Sequence, residues 1–165
     1  TDARAYPGNT GSSTRGLSGG GSSPGEVNII DYITIASAGN STDFGDLSGN
    51  RTASGACSSS TRGVFGGGYL APGAGINVID YITIASTGDA SDFGDLTSGR
   101  YHPIGTSNNT RGVFGGGYDT PATALSSVID YITIASTGNA ADFGDLTAAK
   151  RSTAASSDSH GGLQA

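Results

Sequence analysis

Residues 79–96 read IDYITIASTGDASDFGDL, residues 129–146 read IDYITIASTGNAADFGDL, and residues 30–47 read IDYITIASAGNSTDFGDL. Anchors fall at Ile30, Ile79 and Ile129 and again at Phe44, Phe93 and Phe143, a period close to fifty residues. A fixed period of this size marks a repeat architecture, in which each unit buries its apolar face against a neighbour. IDYITIAS is rich in β-branched and aromatic residues and predicts a strand. Ile79, Tyr81, Thr83 and Ala85 point to one side and Val78, Asp80, Ile82 and Ile84 to the other. Neither side is purely polar, so the strand is expected to be covered on both faces.

The rest of each unit follows from this anchor. Arg4 and Arg15 are eleven apart, as are Arg51 and Arg62, and Arg100 and Arg111. Gly19-Gly20-Gly21, Gly66-Gly67-Gly68 and Gly115-Gly116-Gly117 come next in the same order. TRGVFGGGY, with Val64-Phe65 or Val113-Phe114 before the glycines, reads as a short buried strand, the glycines marking a bulge or a close backbone approach. Between the glycines and the Ile lies a segment of varying length that carries Pro24, Pro72 or Pro121, which is loop behaviour on an exposed edge. STGNA reads as a turn and DFGDL as a third strand; Arg100 to Thr110 supplies a fourth. SSDSHGGLQA at the C-terminus loosely repeats the head of a unit, with His160-Gly161 in place of Arg-Gly.

The expectation is therefore an all-β chain forming a single repeat domain over 1–165. Its three four-stranded units fall at about 14–60, 61–109 and 110–160, with 1–13 as a partial unit. No helix longer than a turn or two is expected.

Glycine is abundant, 29 of 165 residues, yet the β-branched and aromatic residues return at fixed spacing, which a disordered chain lacks. No leader pattern is read at the N-terminus, and no run of about eighteen apolar residues predicts a membrane-spanning helix. The net charge of −6 argues against nucleic acid, which needs clustered Lys and Arg. The placement of charge says more than its sum. Arg4, Arg51, Arg100 and Lys150-Arg151 share one slot, and Arg15, Arg62 and Arg111 another. Asp31, Asp80 and Asp130 hold register after the Ile. Charges kept in place imply structural Arg–Asp pairs, assigned here to Arg15, Arg62 and Arg111 with Asp31, Asp80 and Asp130.

Motifs that could carry chemistry dissolve on inspection. Asp92-Phe93-Gly94 spells a magnesium motif of kinases but recurs in every unit without the kinase lysine or catalytic loop. The triple glycines lack the Lys-Ser/Thr of a phosphate-binding loop. Asp89, Asp92 and Asp95 cluster, but Asp89 is Asn40 and Asn139 elsewhere, so no metal site is assigned. His102 and His160 keep no register with a nucleophile or carboxylate, and Cys57 reads as a small buried filler. No catalytic residue and no cofactor are expected.

The order of an Arg, a hydrophobic pair before Gly-Gly, a Tyr, and an aromatic three residues before a Leu resembles the kelch repeat. Arg100, Gly115-Gly116, Tyr131, Phe143 and Leu146 carry it here. Phe stands where the kelch repeat usually has Trp, and the Tyr131-to-Phe143 interval is several residues longer. The wording TRGVFGGGY…VIDYITIASTGNA is also similar to glycine-rich kelch-like repeats of bacteriophage proteins. These resemblances imply β-propeller blades in a non-enzymatic structural or adhesion protein at a virion or extracellular surface. The alternative architecture is a β-prism of pseudo-threefold symmetry. The alternative function is a carbohydrate-binding module, with Tyr69 and Tyr118 as ligand-contact residues that stack on sugars. The partner expected is a second copy or a larger particle, met through the end repeats, with a surface glycan as the further candidate. Neither nucleic acid nor membrane insertion is expected.

Overall fold

Alternating Ile, Tyr and Thr keep the backbone extended. In the computed structural model, which describes residues 3–120 and 122–157, each of these stretches is a six-residue strand. The first sheet is built from β1 (Gly8–Gly11), β2 (Arg15–Gly19), β3 (Ile29–Thr34) and β4 (Thr42–Asp46). The second opens with β5 (Gly55–Ser58) and β6 (Arg62–Gly66), passes through the hairpin β7 (Tyr69–Leu70) and β8 (Ala74–Gly75), and ends with β9 (Val78–Thr83) and β10 (Ser91–Asp95). β11 (Arg100–Tyr101) leads into the third, made of β12 (Ile104–Ser107), β13 (Arg111–Gly115), β16 (Val128–Thr133) and β17 (Ala141–Asp145). The hairpin β14 (Tyr118–Asp119) and β15 (Ala124–Leu125) is inserted between β13 and β16. Each sheet is a four-stranded antiparallel meander, and the described residues contain no helix, so the fold is all-β. No helix among them is long and apolar enough to cross a membrane.

The sheets run out of phase with the units expected from the sequence. They span residues 8–46, 55–95 and 104–145, so residues 1–13 contain the first strand of a complete sheet. A period determines the length of a repeat but not where it starts; hydrogen bonding does, as in Gly8↔Gly19, Gly55↔Gly66 and Ile104↔Gly115. The expectations at Pro121 and His160-Gly161 lie outside the described residues.

The sheets stack face to face in chain order. Ile82, Ile84 and Phe65 of the second sheet pack on Leu17, Ile30, Phe44 and Leu47 of the first. Ile132, Ile134 and Phe114 of the third pack likewise on Val64, Ile79, Phe93 and Leu96 of the second. β9 therefore buries both of its faces, as its alternation predicts. Each buried Phe or Ile contributes about 1.5–3 kcal/mol. Close approach is set by glycine: a Cβ on Gly19 would lie 2.8 Å from the Phe65 ring, and one on Gly66 2.9 Å from that of Phe114. The inner strands β1 and β12 both run beside β5. At the two ends the stack is open, with Ile33 and Ile35 exposed on the first sheet and Phe143 on the third.

Candidate functional site

Asp31, Asp80 and Asp130 sit at the third position of β3, β9 and β16, where the strand turns them toward the loop that enters the same sheet. Arg4, Arg51 and Arg100, which precede the inner strands, meet them in salt bridges, the last at 2.8 Å. The side chains of Arg51, Asp80, Arg100 and Asp130 are almost wholly buried. Hydroxyls of the preceding sheet add to the site: Ser48 Oγ donates to Asp80 at 2.8 Å and Thr97 Oγ1 to Asp130 at 2.6 Å. Burial pulls the Arg51 guanidinium down from its ordinary value, and the Asp80 carboxylate opposes it.

The ion-pair assignment of Arg15, Arg62 and Arg111 is corrected: the carboxylates take the other arginine slot. The three instead lie over Tyr32, Tyr81 and Tyr131, at 4.5, 4.6 and 4.6 Å from the ring centroids. Arg15 Nη1 also donates to Ile84 O at 2.7 Å and Arg62 Nη1 to Ile134 O at 2.9 Å, each reaching the next sheet. The physical reason is register. Arg15, Arg62 and Arg111 pair with Thr34, Thr83 and Thr133, three residues beyond the aspartates, whereas the entering loops run past the aspartates themselves.

The other clustered groups have structural partners as well. Asp89 Oδ1 accepts from Asp46 N at 3.0 Å and Asn139 Oδ1 from Asp95 N at 3.1 Å, so this acidic position joins one sheet to the next. Either side chain supplies that oxygen, which explains why Asp and Asn interchange there. Cys57 is buried against the third sheet, where a Cβ on Gly112 would lie 2.6 Å from its Sγ. Burial pushes its thiol up to about 12. Among the described residues no group of three or more His, Cys, Asp or Glu is placed to hold a metal ion.

What remains exposed and chemically distinctive is an aromatic row on the loop edge. The inserted hairpins carry Tyr69 and Tyr118, and Tyr101 stands between them, with centroid separations of 5.4 and 5.3 Å. His102 lies 5.5 Å from Tyr101 and 5.4 Å from Tyr6, which is 66% exposed. Arg151 lies 5.2 Å from the Tyr118 ring centroid. Tyr118 is held by its hydroxyl, which donates to Thr123 O at 2.9 Å, and Tyr69 by backbone bonds with Thr52. Sequence reasoning named Tyr69 and Tyr118 and missed Tyr6, Tyr101, His102 and Arg151. The signal was present in the Arg slot, since Tyr6 and His102 each stand two residues beyond an arginine. Tyr6, Ala53, His102 and Ser152 share a left-handed backbone (φ 55–57°) and line one shallow depression. Four non-glycine residues in that conformation cost about 1–2 kcal/mol each, strain of the kind that gathers at ligand-facing positions. Half-buried tyrosines, an imidazole and a guanidinium can stack on a flat or ring-shaped ligand and hydrogen-bond its hydroxyls.

No protein-family model matches the chain, and no curated protein matches it.

Proposed function

We propose that the chain is a non-enzymatic structural or adhesion module of kelch-like, blade-type units, working at a virion or other extracellular surface. The observation that carries this reading is neighbour-only stacking: each sheet buries its faces against its sequence neighbours, and both outer faces stay open. Such a stack transmits load and extends in one direction, as a fibre or decoration protein requires. The registered aspartates are paired with arginines that hold the sheets, which accords with a structural use of these charges. A blade stack accounts for the open faces better than the prism, whose third sheet would return to the first. The bacteriophage-like wording of the repeats points to a virion. Imaging purified particles that carry the protein is the test: ordered, stoichiometric density supports the module, and its absence from particles and cell surfaces rejects it.

A second reading, carbohydrate binding, is favoured by the row Tyr69–Tyr101–Tyr118. Specific, saturable glycan binding that Tyr101→Ala reduces at least tenfold supports it; binding indifferent to that change removes the row from the account.

A further inference from the structure

The two open ends of the stack are opposite halves of one interface that the chain already builds twice. Between neighbouring sheets, Ile82 and Ile84 or Ile132 and Ile134 cover Phe44 or Phe93, and all are 3% exposed or less. At the ends the same positions are Ile33 and Ile35, 47% and 56% exposed, and Phe143, 53% exposed. The geometry points to head-to-tail association of two copies, the Ile33–Ile35 face of one seated on the Phe143 face of the other. This deepens the structural-module reading and rests on it.

The polar contacts of the internal junctions have their counterparts at both ends. Gly88 N donates to Phe44 O and Gly138 N to Phe93 O, both at 2.7 Å; Gly39 of one copy and Phe143 of the other stand in those places. Arg15 and Arg62 reach Ile84 O and Ile134 O, and Arg111 is the exposed third member, facing the position of Ile35. Ser48 and Thr97 cap Asp80 and Asp130. Thr147 is the corresponding residue for Asp31, whose Oδ1, like that of the capped Asp80, is buried and unpaired among the described residues. A Cβ on Gly45 would meet Gly88 at 2.5 Å and one on Gly94 would meet Gly138 at 2.5 Å, but one on Gly144 meets nothing within 4 Å.

What singles out a second copy is a matched exchange of volume. Inside the chain, Phe65 fits against Gly8 and Gly19, and Phe114 against Gly55 and Gly66. On the first sheet the position of that Phe is Ser18, and on the third the position of the first Gly is Ile104. Ile104 already fills the space over Gly115, with Cγ1 3.3 Å from where a Cβ would lie. A large residue on one end thus faces a small one on the other, the reverse of the internal arrangement. The open face of the first sheet is grooved beside Ser18, between Asn9, Gly16 and Ile33.

One segment must move. Residues 150–157 run along the third sheet where residues 4–11 of a partner would lie. Ser152 N donates to His102 O at 3.4 Å, as His102 N does to Ala53 O and Ala53 N to Tyr6 O. Thr106 Oγ1 donates to Ser156 O at 2.9 Å. The segment covers the inner edge alone and leaves Phe143 open, so a whole sheet buries more apolar surface there than the segment does.

Sedimentation of the full chain and of Ile35→Asp and Phe143→Asp, each checked for an unchanged β-sheet circular dichroism signal, is the test. The unaltered chain associates by about 100 μM, a contact of roughly −5 kcal/mol or tighter. Each variant alone is monomeric, and their equimolar mixture forms a 1:1 pair that grows no further, because it retains one intact junction. A monomeric full chain, a variant that still self-associates, or a mixture that stays monomeric overturns the inference. If Ile35→Asp loses its fold, Ile33→Asp serves on the same face. Such a failure leaves incorporation into particles untouched, because that is measured separately.

Discussion

Arg100 Nη2 lies 2.8 Å from Asp130 Oδ2 with neither side chain open to solvent, and Thr97 of the preceding sheet completes the carboxylate's bonding. The pair joins the loop that enters the third sheet to that sheet's β16. Arg100→Ala leaves Asp130 as an uncompensated buried charge and is expected to cost about 3–5 kcal/mol in urea unfolding. Replacing both partners with alanine is expected to cost less than the sum of the single changes. Additive losses would show that the charges act independently.

The second arginine slot behaves differently. Arg111 is exposed, its guanidinium in cation–π contact over the Tyr131 and Phe143 rings at 4.6 and 5.7 Å, so Arg111→Ala is expected to cost about 0.5–1 kcal/mol. Arg62 has that contact and a charged hydrogen bond to the next sheet, so Arg62→Ala is expected to cost about 2–4 kcal/mol. Equal losses for the two would contradict the inter-sheet role of Arg62.

Gly94 and Gly144 share a left-handed bulge conformation, φ 142° and 133°, but only Gly94 has a neighbouring sheet against it. Gly144→Ala is expected to cost about 1–2 kcal/mol from backbone strain. Gly94→Ala adds the collision with Gly138, for about 2–4 kcal/mol in all. The difference between the variants measures the inter-sheet approach, and a zero difference would refute it.

Partial burial, then the nearby Arg151 charge, pulls His102 below the ordinary histidine value. As pH falls, the unfolded chain protonates first, so any stability His102 contributes is present above the ordinary value and declines as the pH drops below it. An NMR titration is expected to give a midpoint below about 6.5, raised by Arg151→Ala but still depressed because burial is the larger cause. A midpoint unmoved by that substitution would place Arg151 away from the imidazole in solution.

Cys57, its thiol pushed up to about 12, is expected to resist a thiol reagent at pH 8 in the native state and to react at once in denaturant. Fast native labelling would mean that the second and third sheets separate.

The recurrence of IDYITIAS and DFGDL, with apolar residues on both faces of one strand, determined by itself that the chain is all-β, repetitive and stacked. Period and alternation are local properties, and they survive being read without coordinates. The phase of the sheets was not legible, because a period has no origin and hydrogen-bond register assigns residues 8–11 to the sheet that follows. The aspartates showed as paired, yet the choice between Arg51 and Arg62 as the partner of Asp80 needed the tertiary structure. The two arginines are eleven residues apart, and only the path of the loop brings the earlier one to the carboxylate. Tyr69 and Tyr118 were visible as loop aromatics, whereas their union through Tyr101 depends on β11 pairing with β14. The open ends were decided in the same way: Ile35 and Ile84 sit in matching sequence contexts, and a neighbouring sheet buries only the second.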